Sequence, residues 1–366
     1  MLATLTDEQE ALRARARALI ERELPLARVR ELADTSLGDS TAYRAAAGAA
    51  GWYSPLADDP ARVLDAAVIA AERGRLLQPG PFAATTAVVG ALASAGSPWA
   101  RETVLPSLIA GRSSATWAVA GSAAQWNPTS GVNARTSGGG VVLDGTKHLV
   151  HDAHSADWLL VSAVDGAGGT AVLVERGTPG LTVTPFDGLD LTRTLCHVSL
   201  DGVEVPGAAV LGERGRADEL MERALQVTLA LTIAEAVGAM DEILGRAVTY
   251  AGERVAFGRP IGSFQAVKHL LADASRVLET AKAVAVAAAR SVDGAAADAP
   301  EVVSMAKSFV GRATADVAHA AWQTFGGVAY TWEHDFHLYL RRLTADAALY
   351  GDAAWHNERI CALHGL

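Results

Sequence analysis

The residues best suited to chemistry lie in one short string between two helical runs, Glu253-Arg254-Val255-Ala256-Phe257-Gly258-Arg259-Pro260-Ile261-Gly262-Ser263-Phe264-Gln265. The string joins a guanidinium, an aromatic ring and an amide. Arg254 is able to pair two ways with a phosphate, Phe257 to lie against a flat heterocycle, and the glycines to bring backbone close to a ligand. The competing reading is a plain helix–helix turn with a surface arginine, because turns collect Gly and Pro. Taken together the residue types favour a cofactor. A second string, Trp322-Gln323-Thr324-Phe325-Gly326-Gly327-Val328-Ala329-Tyr330-Thr331-Trp332-Glu333-His334, puts paired glycines after a helical run. Exposed backbone N–H groups there suit an anion or the edge of a heterocycle. An ordinary glycine cap explains Gly326 and Gly327 but leaves Gln323 and the aromatic residues unexplained.

Other candidates are weaker. His151 and His154 stand at a spacing that joins metal ligands on a helix, but their segment reads as strand and turn. His334, His337 and His356 lack a matching set of cysteine or carboxylate ligands, so no metal is expected. Cys196 and Cys361 have no C-x-x-C spacing, which argues against a disulfide framework or a zinc site and for a reducing compartment. Trp332 and Tyr339 read as core aromatics.

The elements that must position these residues fall into three zones, with expected domains at 1–111, 112–215 and 216–366. The first is helical: Thr6 caps a helix opening with Asp7 and Glu8, and Pro25, Pro55 to Pro60, Pro79 with Pro81, and Pro98 divide the rest into four or five helices. The second alternates and is β-branched, with strands expected at 115–119, 141–143, 158–163, 170–175, 181–185 and 197–203, joined by Gly and Asp-Gly turns. The third is a bundle of long alanine- and leucine-rich helices. The expected fold class is therefore α+β multidomain: an N-terminal helical domain, a central antiparallel β-barrel or sandwich, and a C-terminal four-helix bundle.

Composition supports a globular enzyme. The 366 residues are 50% hydrophobic and 20% charged, and 31 basic against 41 acidic side chains leave a net charge of -10. That sign repels nucleic-acid phosphates. No apolar run approaches the roughly 20 residues that span a bilayer, and the acidic, polar start differs from a secretory leader. The expectation is a cytoplasmic protein with no nucleic-acid or membrane partner.

The two strings, R-V-A-F-G-R-P-I-G-S-F-Q at 254–265 and Q-T-F-G-G-V-A-Y-T-W-E-H at 323–334, resemble the acyl-CoA dehydrogenase family. Glu72-Arg73-Gly74-Arg75, Leu143-Asp144-Gly145-Thr146-Lys147 and Leu200-Asp201-Gly202-Val203-Glu204-Val205-Pro206 match as well, so the resemblance spans essentially the whole chain. It implies FAD at a subunit interface. Arg254 would contact the flavin pyrophosphate of a neighbouring subunit, Phe257 and Gln265 would line the same site, and Gln323, Gly326 and Gly327 would approach from the other chain. The implied reaction is α,β-dehydrogenation of an acyl-CoA thioester: a carboxylate removes the α-proton and the β-hydrogen leaves as hydride to flavin N5. An electron-transfer flavoprotein is the implied electron acceptor.

The departures from the family pattern are specific. Where most members carry the basic glutamate in a Tyr-Glu-Gly-Thr segment, this chain reads Leu349-Tyr350-Gly351-Asp352-Ala353-Ala354-Trp355-His356, and Asp352 is the expected base. The alternative family position falls on Thr228, which cannot act as a base; Glu235, Asp241 and Glu242 nearby read as structural or solvated acids. Ala118 to Trp126 stands in place of a Thr-Glu-Pro-Gly-x-Gly-Ser-Asp loop, and His148-Leu149-Val150-His151 in place of Trp-Ile-Thr-Asn. Ser122 or Ser155 would then supply the hydroxyl offered to flavin. This pattern resembles a divergent branch of lipid and steroid side-chain degradation, in which two different family chains combine and only one supplies the base. Three functions follow: an acyl-CoA dehydrogenase as a homo- or hetero-oligomer, a silent partner subunit that donates Arg254, or dehydrogenation of a carrier-bound acyl group.

Overall fold

The computed structural model describes residues 5–34, 41–121, 126–166 and 168–366. Helix α1 (Asp7–Glu23) opens on Thr6, whose Oγ1 accepts the Gln9 backbone N–H at 3.2 Å while Gln9 Oε1 accepts the Thr6 N–H at 3.1 Å. This reciprocal cap satisfies two otherwise orphaned donors. There follow α2 (Leu26–Asp34), α3 (Thr41–Ala49), α4 (Pro55–Asp58), α5 (Val63–Arg75), α6 (Phe82–Ala95) and α7 (Leu105–Ile109). The described residues thus hold more helices in this zone than the four or five expected. The reason is that prolines begin helices as readily as they end them: Pro55 and Pro106 lie in the first turns of α4 and α7.

The central strands are β1 (Ala115–Ala118), β2 (Val132–Ser137), β3 (Gly140–His151), β4 (Trp158–Asp165), β5 (Gly168–Glu175), β6 (Leu181–Phe186), β7 (Leu195–Pro206) and β8 (Val210–Leu211). They form one sheet in the order β6-β7-β3-β2-β4-β5-β8, with β1 beside β4. The expected antiparallel barrel or sandwich is corrected here. The sheet is open and mixed, because β1 arrives from α7 running parallel to β4, and β2 also meets β4 in parallel. Strand β7 alternates buried and exposed residues, as a half-covered strand should, whereas β4 and β5 are buried on both faces. Val161 and Val172 face the strand core with Val198 and Leu200, while Leu160 and Leu173 face the helices.

The last zone comprises α8 (Asp218–Glu253), a two-stranded hairpin of β9 (Val255–Ala256) and β10 (Arg259–Pro260), then α9 (Gln265–Asp293), α10 (Ala299–Phe325), α11 (Phe336–Ala348) and α12 (Ala353–Leu363). Every residue of α8 from Ala224 to Met240 is buried, so this helix is the axis of the molecule. It packs on α5 at unusually close range through two glycines: a Cβ at Gly74 would lie 1.9 Å from the Glu235 carbonyl oxygen, and one at Gly238 would lie 1.9 Å from that of Ala71. That approach brings Arg73 of α5 beside Glu235 of α8.

Candidate functional site

The two strings singled out in the sequence meet at one end of the bundle. Helix α8 stops at Arg254, which adopts an extended conformation, and the hairpin turns through Phe257 at φ +53 and Gly258 at φ +79. Phe257 is 96% exposed. A large side chain held in left-handed backbone with its ring in solvent suggests a surface awaiting cover. Phe264 is its ring neighbour among the described residues, edge-on at 6.2 Å. Arg254 and Gln265 are exposed, and the Ser263 hydroxyl is buried without a hydrogen-bond partner. On the other string, α10 ends where Gly326 takes φ 64 and ψ -139, a conformation reserved for glycine, and leaves Gln323 and Gly327 exposed. Tyr250 of α8 and Phe325 of α10 join the two strings, with ring centroids 5.3 Å apart. Both rings also line a cleft of about 700 Å3 beside Arg246 and His334. Tyr330 and Trp332 add exposed aromatic surface to the Gly326 side.

The turn between α11 and α12 carries Asp352. Asp352 is the N-cap of α12: its Oδ1 accepts the Trp355 N–H at 2.8 Å and the residue is exposed. Gly351 takes φ +103, and a Cβ there would stand 2.5 Å from the Trp355 ring and 3.0 Å from His356 Nε2, so the position has no room for a side chain. Tyr350 is buried against Trp126, 5.2 Å between centroids. Beneath the turn, Lys307 donates to the carbonyls of Asp346, Ala347 and Gly351 at 2.9, 3.0 and 2.9 Å. Burial pushes its ammonium down to about 8, with Asp346 and Asp352 opposing.

His356, also under this turn, shares a hydrogen bond of 3.2 Å between its Nε2 and the Tyr350 carbonyl. Burial, with Lys307 and Arg359 adding to it, pushes the ring from 6.5 down to about 3. The folded state therefore keeps His356 neutral while the unfolded chain takes up a proton. Its stabilising contribution is complete above pH 6.5 and is lost as the pH falls toward 3, by up to about 1.4 kcal/mol per unit. Urea midpoints measured at pH 7 and pH 5 should drop in the wild type and drop distinctly less in His356→Gln. Equal drops in both proteins would refute this.

The interior holds charges whose pairing the sequence does not reveal. Arg193, in the β6–β7 connection, bonds Glu235 at 2.5 Å and Asp346 of α11, and Arg342 of α11 bonds Asp190 at 2.6 Å and Thr192. All six groups are buried. Burial opposes ionisation of Asp190, but Arg342 and Arg193 hold its carboxyl below the ordinary range; at Asp346 burial prevails and the carboxyl is raised. Glu235, read from the sequence as structural or solvated, is a fully engaged interior ion. Asp241 pairs with Lys282 at 2.6 Å, and Glu242 pairs with Arg75 and Arg246. Thr228 spends its hydroxyl on the Ala224 carbonyl.

The worn segments of the central zone are held together by Lys147, which the sequence analysis placed in a motif without a role. Its ammonium donates to the carbonyls of Val119, Pro128 and Ser130 at 3.0, 3.0 and 2.6 Å, although burial pushes it down to about 7. Next to it the His148 N–H bonds the Ala120 carbonyl at 3.0 Å, and Leu149 turns through φ +54. Ala120 and His148, one from each segment expected to flank a flavin, are therefore neighbours. Ser122 falls outside the described residues, and Ser155 donates to the Asp152 carbonyl at 3.2 Å.

Residues 192–362 match the family model for the acyl-CoA dehydrogenase C-terminal domain. Over 357 residues, covering 95% of this chain and 96% of the relative, the sequence is 32% identical to acyl-CoA dehydrogenase IpdE2 of Mycolicibacterium smegmatis. The chain belongs to the acyl-CoA dehydrogenase family. Its match to IpdE2 of Mycobacterium tuberculosis is 31% over 94% of each chain. Among solved structures, the ChsE4-ChsE5 complex from Mycobacterium tuberculosis superposes with a TM-score of 0.90 at 26% identity, covering 99% of this chain and 98% of that one. Butyryl-CoA dehydrogenase from Megasphaera elsdenii shares the fold, with a TM-score of 0.91 at 22% identity over the full length of both chains. The family is one of oxidoreductases, and in this chain Asp352 caps a helix. No helix among the described residues is long and apolar enough to cross a membrane.

Proposed function

We propose that this chain is one half of a two-chain, FAD-dependent acyl-CoA dehydrogenase, in which it grips the flavin nucleotide and the other family chain supplies the base. The observation that carries the reading is the state of its carboxylates. Asp352 caps a helix in solvent, Gly351 admits no side chain, and Glu235, Asp346 and Asp190 are held by arginines. A proton acceptor needs a free lone pair within hydrogen-bond reach of the substrate.

The bundle end fits FAD. Arg254 has no hydrogen bond or ion pair from its guanidinium among the described residues, Phe257 stands in solvent, and Gly326 and Gly327 present backbone with open space where a Cβ would be. Arg254, Phe257, Gln265, Gln323, Gly326 and Gly327 would hold the nucleotide portion across a subunit boundary. When bound, FAD accepts the β-hydrogen with its electron pair, and an electron-transfer flavoprotein is the proposed onward acceptor. Arg254 neutralises phosphate charge, and Phe257 covers a heterocycle face. Lys147 ties Val119, Pro128 and Ser130 to the strand that carries His148. The name of the ChsE4-ChsE5 complex supports a paired assembly.

The test is to purify the full chain alone and together with a family chain that carries the Tyr-Glu-Gly-Thr segment. The pair should be yellow and should bleach anaerobically with acyl-CoA, while the single chain carries little flavin. Within the pair, Arg254→Ala should lower flavin affinity by about 10-fold or more, and Asp352→Asn should leave the bleaching rate within about twofold of wild type, since the amide oxygen of Asn still accepts the Trp355 N–H and keeps the cap. A single chain that bleaches by itself, and stops bleaching in Asp352→Asn, would make Asp352 the base and overturn the proposal.

A further inference from the structure

The family segment Tyr-Glu-Gly-Thr sets its glutamate directly before a glycine. The turn between α11 and α12 holds one glycine, Gly351, and space fixes its place: its φ is +103, and the Trp355 ring stands where a Cβ would go. With the two glycines in register, Leu349-Tyr350-Gly351-Asp352 puts Tyr350 at the place of the glutamate and Asp352 two residues beyond it.

The backbone agrees with that register. Tyr350 takes φ +60, left-handed backbone that a bulky aromatic residue rarely adopts and that persists where the surroundings over-determine it. Here they do: His356 Nε2 shares a hydrogen bond of 3.2 Å with the Tyr350 carbonyl, and Lys307 donates to the Gly351 carbonyl at 2.9 Å. The Tyr350 side chain goes inward and is 2% exposed, whereas Asp352 is exposed.

Inside, the Tyr350 ring meets the neighbourhood expected to flank a flavin. Its centroid is 5.2 Å from that of Trp126, which belongs to the stretch standing in place of the Thr-Glu-Pro-Gly-x-Gly-Ser-Asp loop. Its hydroxyl lies in the field of Asp152, the residue next after segment 148–151, and of Arg193, Glu235 and Asp346. Burial raises the phenol's pKa against Arg193, and the three carboxylates add to the rise, so Tyr350 keeps its proton. Packing alone accounts for the ring on Trp126, but packing does not call for left-handed backbone at a tyrosine.

We propose that Tyr350 is the residue by which this chain withholds proton removal: its phenol stands where the family's carboxylate takes the α-proton, and it offers a hydrogen bond where an acceptor is required. This deepens the two-chain reading and rests on it for the assembly in which it is tested. A carboxylate introduced at position 350 should return the missing step. It takes the proton as the α C–H bond breaks, and the β-hydrogen leaves with its electron pair to FAD.

The test uses the assembled pair with the glutamate of the other chain's Tyr-Glu-Gly-Thr segment replaced by glutamine. Rates are read with whichever of hexanoyl-, isovaleryl- and cyclohexylacetyl-CoA bleaches the unaltered pair fastest. The glutamine pair should neither bleach nor exchange the α-hydrogens of that probe for deuterium in D2O. Adding Tyr350→Glu should raise both rates by at least about 100-fold, the usual effect of a placed general base, and Asp352→Glu should raise neither by more than about threefold. If Tyr350→Glu fails to fold, Tyr350→Gly suits the left-handed backbone and opens the same place to a small acid, so acetate should restore exchange in proportion to its concentration. A folded Tyr350→Glu pair that stays silent, equal recovery with Asp352→Glu, or a Tyr350→Gly pair that acetate does not rescue would overturn the assignment. An unaltered pair that is colourless or does not bleach would sink the two-chain reading instead. Deuterium exchange by the full chain alone, Tyr350→Glu against wild type with the same three thioesters, would then still decide the place of Tyr350, because it reads proton removal without electron transfer.

Discussion

Arg193→Met is expected to cost about 3–5 kcal/mol of folding free energy, enough to consume a large share of the stability of an ordinary domain. Arg193 bonds Glu235 at 2.5 Å and Asp346, and reaches Asp190 at 4.0 Å, all in the dry interior. With Arg73 and Arg342 it balances those three carboxylates charge for charge. Removing it leaves Glu235 and Asp346 facing each other without the cation between them, and a buried charge stripped of its partner is far more costly than an intact pair is helpful. The effect should therefore shrink when the carboxylates are removed with it. Urea unfolding of Arg193→Met, of Glu235→Gln with Asp346→Asn, and of all three changes together forms a cycle whose coupling should reach about 2 kcal/mol or more. Additive losses, or an Arg193→Met loss below about 1 kcal/mol, would show that the network does not bind the strand zone to the bundle.

Gly74→Ala is the second large effect, and it acts through backbone instead of charge. The new Cβ would fall 1.9 Å from the Glu235 carbonyl oxygen and 2.6 Å from its carbon. A flexible side chain is able to turn away from such a contact; the main chain of the buried 224–240 stretch of α8 is not. Helices α5 and α8 must separate, opening the core around Ile69 and Ile233 and moving Arg73 away from Glu235. Over-packing of this kind costs about 3 kcal/mol. The change should lower the urea midpoint markedly, whereas Gly252→Ala at the exposed end of α8, where a Cβ meets open space, should leave it nearly unchanged. Equal midpoints for the two variants would mean that the close approach is not a feature of the folded chain.

Much of this protein was legible along the chain. Thr6 and Gln9 cap α1 because the partners of a capping box stand three residues apart, and the helix–strand–helix order follows from periodicities that repeat every few residues. The strings at Arg254 and Gly326 stood out because their residue types are unusual for a turn, and the bundle carries both to one end through Tyr250 and Phe325. Strand β2 was not legible: Val132-Asn133-Ala134-Arg135-Thr136-Ser137 is polar, and it becomes a strand because β3 supplies its hydrogen-bonding partners. The same is true of the parallel pairing of β1 with β4, which set aside the expected barrel.

The carboxylates divide along the same line. Sequence alone established which acids exist and that Asp352 stands near the expected base position; it was the start of α12 that turned Asp352 into a cap, and the packing of Trp355 and His356 that closed Gly351 to any side chain. Only the tertiary structure paired Glu235 with Arg193 and brought Arg73 to the same carboxylate. Local conformation depends on neighbours a few bonds away, which a sequence displays. Whether a charge is free, neutralised or stranded depends on which distant segments exclude water around it, and that is decided when the helices and the sheet close on one another.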